Sequence, residues 1–183
     1  RIGVRFRLPA SMNQVEYFGR GPAENYLDRN AGSMIGLYKS TAEELYFPYV
    51  RPQENGHHTD TRWVSLSTGK KGLLIQADNT IGFNALRNSI EDFDDEEATG
   101  LPRQWSNFTP EQVANHDEAA AKNVLRRQHH INDITPCDFV EVCVDLKQQG
   151  VAGYDSWGSR PEPAYTLPAN REYNWGFTLI PLK

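Results

Sequence analysis

The sequence predicts an all-β fold, an antiparallel β-sandwich carrying one short helix. Three observations predict it: apolar and polar residues alternate in several short runs, glycine- and proline-rich turns separate those runs, and helical character is confined to one brief stretch. The 183 residues suit one domain spanning 1–183, and 38% hydrophobic with 11% aromatic side chains suffices for a core.

Ile2, Val4, Phe6 and Leu8 alternate with Arg1, Gly3, Arg5 and Arg7, the period of a half-buried strand. The chain therefore opens in mid-strand register, as an excised carboxyl-terminal fragment would, because natural amino termini are usually loose. Residues 15–18 form the next strand and stop at Gly19-Arg20-Gly21-Pro22, which must turn. Residues 23–40 read as polar and glycine-broken, with Glu24, Asn25, Tyr26, Asp28 and Arg29 clustered in them. Extended aromatic structure resumes at 45–50, where Pro48 favours an edge, and Asn55-Gly56 marks a turn. Residues 62–67 and 73–77 make a hairpin through Gly69-Lys70-Lys71-Gly72.

Six acids fall between Glu91 and Glu97 around Phe93, so residues 88–107 read as a solvated acidic insertion. Thr109-Pro110-Glu111-Gln112 is a capping-box start, and the helix-forming residues 119–127 continue or restart that helix. Val140, Val142, Val144 and Leu146 alternate with Glu141, Cys143 and Asp145 as a half-buried strand; Tyr173, Trp175, Phe177 and Leu179 mark a last one.

Between these last two strands lies the glycine-punctuated loop 150–158, which carries Asp155, Ser156 and Trp157. An indole beside a carboxylate and a hydroxyl is equipment for a sugar ring, covering its C–H faces while polar neighbours bond hydroxyls. The competing reading is an indole that plugs the end of the sandwich. A second cluster, Glu54, His57, His58 and Asp60, sits beside the Asn-Gly turn. It could exchange protons with a sugar's ring oxygen and anomeric hydroxyl, or consist of turn residues satisfied by water and backbone.

Other chemistries are disfavoured. The net charge of −5, from 19 basic and 24 acidic side chains without a basic run, argues against nucleic acid. No apolar stretch approaches the roughly 20 residues that span a bilayer, and the compartment is not readable. Phosphate-loop, dinucleotide, zinc-protease and esterase signatures are absent. In an extended chain Cys137 and Cys143 would lie about 20 Å apart, too far for a disulfide, and their spacing fits no zinc site.

Three separated motifs then point to a family: Gly21-Pro-Ala-Glu-Asn-Tyr-Leu-Asp-Arg29, Tyr49-Val-Arg-Pro-Gln-Glu-Asn-Gly56 and Asp155-Ser-Trp-Gly158. In this order they resemble the carboxyl-terminal small-chain domain of the large bacterial β-galactosidases of glycoside hydrolase family two. The resemblance implies the last part of an antiparallel β-supersandwich of the galactose-mutarotase-like fold. It implies a parent enzyme that hydrolyses terminal β-galactosides with retention, using two glutamates on a central barrel that also holds magnesium and sodium. No catalytic glutamate, metal site or cofactor is then expected in this chain, and the isolated fragment should be inactive. By motif Trp157 becomes the substrate platform, with Asp155 and Ser156 as neighbours at the sugar. The implied partners are the remaining domains of the glycosidase and the galactoside, and exposed strand edges would favour self-association. The alternatives are a stand-alone carbohydrate-binding module and an aldose 1-epimerase using His57 or His58 with Glu54.

Overall fold

The computed structural model describes residues 1–93, 131–155 and 157–183. Contacts divide the chain into two units, one of Arg1–Phe47, Asn55–Asn88 and Pro136–Lys183, the other of Pro48–Glu54 and Ser89–Thr135. The first unit holds seven strands: β1 (Ile2–Pro9), β2 (Gln14–Gly21), β3 (Met34–Thr41), β4 (His58–Ser67), β5 (Gly72–Leu86), β6 (Phe139–Lys147) and β7 (Phe177–Leu182). They form one antiparallel sheet in the order β1-β6-β5-β4-β2-β3, with β7 also paired to β5. This is the all-β class that the alternation predicts, in the form of a sandwich layer. Among the described residues the only helical pieces are 3-10 turns at Ile90–Asp92, Ile131–Asp133 and Pro163–Tyr165. The expected helix at 109–127 and most of the acidic stretch 88–107 lie outside the described residues.

Several boundaries differ from the sequence pattern. Residues 45–50 form turns and irregular chain instead of a strand. Aromatic content alone supplies no ladder partner, and Pro48 removes a donor. β3 occupies the end of the segment read as polar and broken, held by continuous pairing from Met34 against Gly21 to Thr41 against Gln14. The 15-residue β5 is three times the length expected, because its two ends have different neighbours. Residues 72–77 pair with β7, whereas 82–86 pair with β6. The last strand begins only at Phe177, leaving Tyr173 and Trp175 outside it.

Register explains the core, because residues directly opposite in an antiparallel ladder share a face. Val15 and Tyr17 oppose Leu66 and Val64, which oppose Leu73 and Ile75. Phe83 and Ala85 likewise oppose Val144 and Val142. The face is closed by a ring cluster in which Phe83 stacks on His58 at 5.1 Å and meets Tyr17 edge-on at 5.1 Å.

The other face of β6 is buried too, which corrects the half-buried reading. Glu141 and Asp145 are only 3% and 1% exposed. Arg5 and Arg7 of β1 reach Glu141 at 3.4 and 3.2 Å, and Arg1 reaches Asp145 at 3.1 Å. Arg7 also lies over the Phe139 ring at 3.9 Å. The arginines that alternate along β1 are therefore counter-ions for carboxylates that could not be buried unpaired.

In the second unit, the Ser89 N–H donates to the Asp92 carboxylate at 2.8 Å, and the Ile131 N–H donates to the Val50 carbonyl at 3.2 Å.

Removing the Phe83 ring should cost about 3–5 kcal/mol of stability as Phe83→Ala. Leu37→Ala, on a side chain 59% exposed, should stay within about 0.5 kcal/mol. Urea midpoints of the two variants check this, and equal shifts would contradict it.

Candidate functional site

The two glycine-bearing loops contain backbone N–H groups that no strand satisfies, and one short segment supplies their acceptors. Residues 26–29 close a tight turn in which the Tyr26 N–H donates to the Arg29 carbonyl at 3.2 Å and the Arg29 N–H returns to Tyr26 at 2.8 Å. Tyr26 anchors it, buried and stacked on the His57 ring at 5.5 Å.

The side chains around this turn reach outward in two directions. Toward the Asn-Gly turn, the Glu24 carboxylate accepts the Gly56 N–H at 2.6 Å and the Arg29 guanidinium at 2.7 Å. Asn25 accepts the Thr59 N–H and hydroxyl at 3.0 and 2.6 Å and donates to the carbonyls of Arg20 and Ala23, each at 3.1 Å. Gly56 is required twice over: its φ is +72°, and a β-carbon there would lie 2.8 Å from Leu86 and 2.9 Å from the Leu45 carbonyl. In the other direction, the Asp28 carboxylate accepts the N–H groups of Val151 and Ala152 at 3.1 and 2.8 Å. The first of the three motifs thus braces Gly56, the last residue of the second, and the loop that carries the third.

Loop 150–158 leaves β6 by three left-handed residues, Ala152, Gly153 and Gly158, at φ 55°, 84° and 81°. Asp155 folds back within the loop, accepting the N–H groups of Trp157 and Ser159 at 2.8 and 3.3 Å. The Trp157 indole is 92% exposed, so among the described residues it plugs nothing. Ser156 lies outside the described residues. A cleft of about 310 Å³ touches the same turn through Leu27, with Lys147, Arg171 and Tyr173 among its walls, but Trp157 does not line it. Among the described residues the indole stands open to solvent.

The histidines belong to the interior. His57 and His58 are each 1% exposed. The His57 Nδ1–H donates to the Asn84 side-chain carbonyl at 2.7 Å, and Arg1 donates to that same oxygen at 2.7 Å. The ring nitrogens of His58 lie 3.1 and 3.2 Å from the carbonyls of Gly56 and Pro22. Burial pushes His57 down to about 3, with the Arg1 charge adding to it, and burial also lowers His58 against the pull of the two carbonyls. Neutral, enclosed imidazoles cannot meet a sugar or hand it a proton, which removes the support for the epimerase reading. Glu54 belongs to the second unit. Among the described residues no three His, Cys, Asp or Glu side chains gather as a metal would require, and Cys137 and Cys143 form no disulfide.

Sequence reasoning singled out Trp157 and Asp155 but missed Asp28, although it stands inside a quoted motif. Its partners are 123 and 124 positions away, so only the fold reveals them.

Comparison with known proteins agrees with these motifs. The family described as beta galactosidase small chain matches residues 1–179. A β-galactosidase of Priestia megaterium (strain DSM 319 / IMG 1521) is 35% identical over 182 residues, 99% of this chain and 14% of that protein. One from Arthrobacter sp. (strain B7) is 41% identical over 98 residues, 50% of this chain and 10% of that protein. One from Vibrio cholerae (serotype O1, strain O395) is 28% identical over 179 residues, 98% of this chain and 14% of that protein. The chain thus spans only a small part of the length of the curated relatives it matches.

Both histidines sit below the ordinary value in the folded state, so the unfolded chain binds more protons as pH falls below about 6.5, and stability should decline there. Urea midpoints at about pH 7 and about pH 5, a range in which ordinary carboxylates stay largely ionised, check the sign. A midpoint that holds or rises on acidification would contradict neutral, buried histidines.

Proposed function

Because the chain belongs to the β-galactosidase small-chain family, we propose that it forms one wall of the sugar site in a longer β-galactosidase, with Trp157 as the galactoside's platform. The observation that carries this reading is the indole, 92% exposed on a loop braced from both ends. An exposed aromatic that large gains little from water, and a loop pinned by a carboxylate at each end presents it without a large ordering cost on binding.

The parent enzyme hydrolyses terminal β-galactosides with retention, and its nucleophile and acid/base glutamates come from outside this chain. A stacked indole contributes about 0.5–1.5 kcal/mol beyond its buried area. That orients a sugar but falls well short of the roughly 8 kcal/mol or more by which enzymes lower barriers. Asp155 is a loop brace with one carboxylate oxygen left for a hydroxyl, and Ser156 is its neighbour at the sugar. Phe18, Ile35 and Leu37 lie exposed on a shared face of β2 and β3, and they serve as assembly surface for the rest of the enzyme.

In the full-length enzyme, Trp157→Ala should raise KM for a β-galactoside roughly two- to tenfold with an unchanged thermal midpoint. An unaltered KM would contradict the platform role. The 183-residue chain alone should release no aglycone from a chromogenic galactoside, and measurable turnover would show that the catalytic groups lie within it.

A further inference from the structure

We propose that Asp28 is the positioning residue of the Trp157 loop, the group that fixes where the indole stands. This deepens the platform reading and rests on it for its catalytic meaning.

The contact has the form of an anion site built from main chain. Two successive N–H groups, of Val151 and Ala152, converge on one carboxylate at 3.1 and 2.8 Å, one to each oxygen. Ala152 and Gly153 that follow are both left-handed, at φ 55° and 84°. Successive N–H groups beside a left-handed residue form a concave nest for negative charge. An alanine does not take that conformation unaided, so the surroundings must hold it there. Gly150 shows how closely the carboxylate is fitted, since a β-carbon at that position would lie 2.4 Å from the Asp28 oxygen. Its own N–H is fixed on the Tyr165 carbonyl at 2.8 Å. Asp28 in turn sits on a turn whose Tyr26 is sealed in the interior, so the start of the loop that bears the indole is tied back to the sheet through these contacts.

The test is made in the full-length enzyme. Hydrogen exchange followed by mass spectrometry in the peptide covering residues 148–158 should quicken roughly tenfold or more in Asp28→Ala, because a hydrogen bond to a charged group is worth about one to two decades. Peptides from β4 and β6 should keep the parent rate. KM should rise by about the factor seen for Trp157→Ala, and the double variant should be no worse than Trp157→Ala alone. Gly150→Ala should reproduce the effect from the other side of the contact, and Asp28→Asn, which keeps one acceptor oxygen, should fall between. Unchanged loop exchange, exchange that rises equally throughout the sheet, a KM that stays put while Trp157→Ala raises it, or losses that multiply in the double variant would each overturn the proposal. If Trp157→Ala leaves KM unaltered, the platform reading fails by itself. Loop exchange then decides the tether: acceleration confined to 148–158 sustains it, and parent-like exchange removes it.

Discussion

Satisfying the backbone donors of two glycine-bearing loops is the constraint on which the architecture around Trp157 depends. A loop that turns through left-handed residues leaves N–H groups pointing away from any ladder, and such groups need acceptors. Glu24, Asn25 and Asp28, within one short segment, provide them for Gly56, Thr59, Val151 and Ala152. Acceptors so close in sequence fix two distant stretches of chain relative to a single turn. The turn is fixed by Tyr26 against His57, and His57 by Asn84 of β5. The start of the loop that bears the exposed indole is thus the last link of a path that begins inside the sheet.

The sheet can bear this path because its faces have separate physics. One face is apolar, with valines of β6 opposite Phe83 and Ala85 and the Tyr17, His58 and Phe83 rings against one another. The opposite face of the β1-β6 pair is ionic, with three arginines over Glu141 and Asp145. Arg1 takes part in both the ionic layer and the buried polar path, since it reaches Asp145 and also the Asn84 oxygen that His57 uses. Conditions that disturb the ionic layer should therefore be felt at the base of the Trp157 loop as well.

Much of the fold was legible because period-2 alternation marks strands, and β1, β2, β4 and β6 carry that signal, although in β6 it does not report burial, since both of its faces are buried. β3 escaped because Met34, Ile35 and Leu37 are exposed on an edge, so its strand character comes from pairing with β2 and not from its own pattern. The 45–50 stretch misled in the opposite sense, with strand-like residues but no partner strand among the described residues. At the site, Trp157 was legible from a loop motif, whereas His57 and His58 looked catalytic only because their burial was invisible. Their partners Asn84 and Pro22 are 27 and 36 residues away. Asp28 shows the same limit: a carboxylate inside a motif reads as surface charge until the fold places two distant N–H groups on it.

A crystal structure of the full-length enzyme with a β-galactoside bound tests this account most directly. The expected result is an indole of Trp157 within about 4.5 Å of a C–H face of the sugar, with the Asp28 carboxylate still holding the Val151 and Ala152 N–H groups. A sugar bound with Trp157 turned away from it, or packed solely against another part of the protein, would contradict the account.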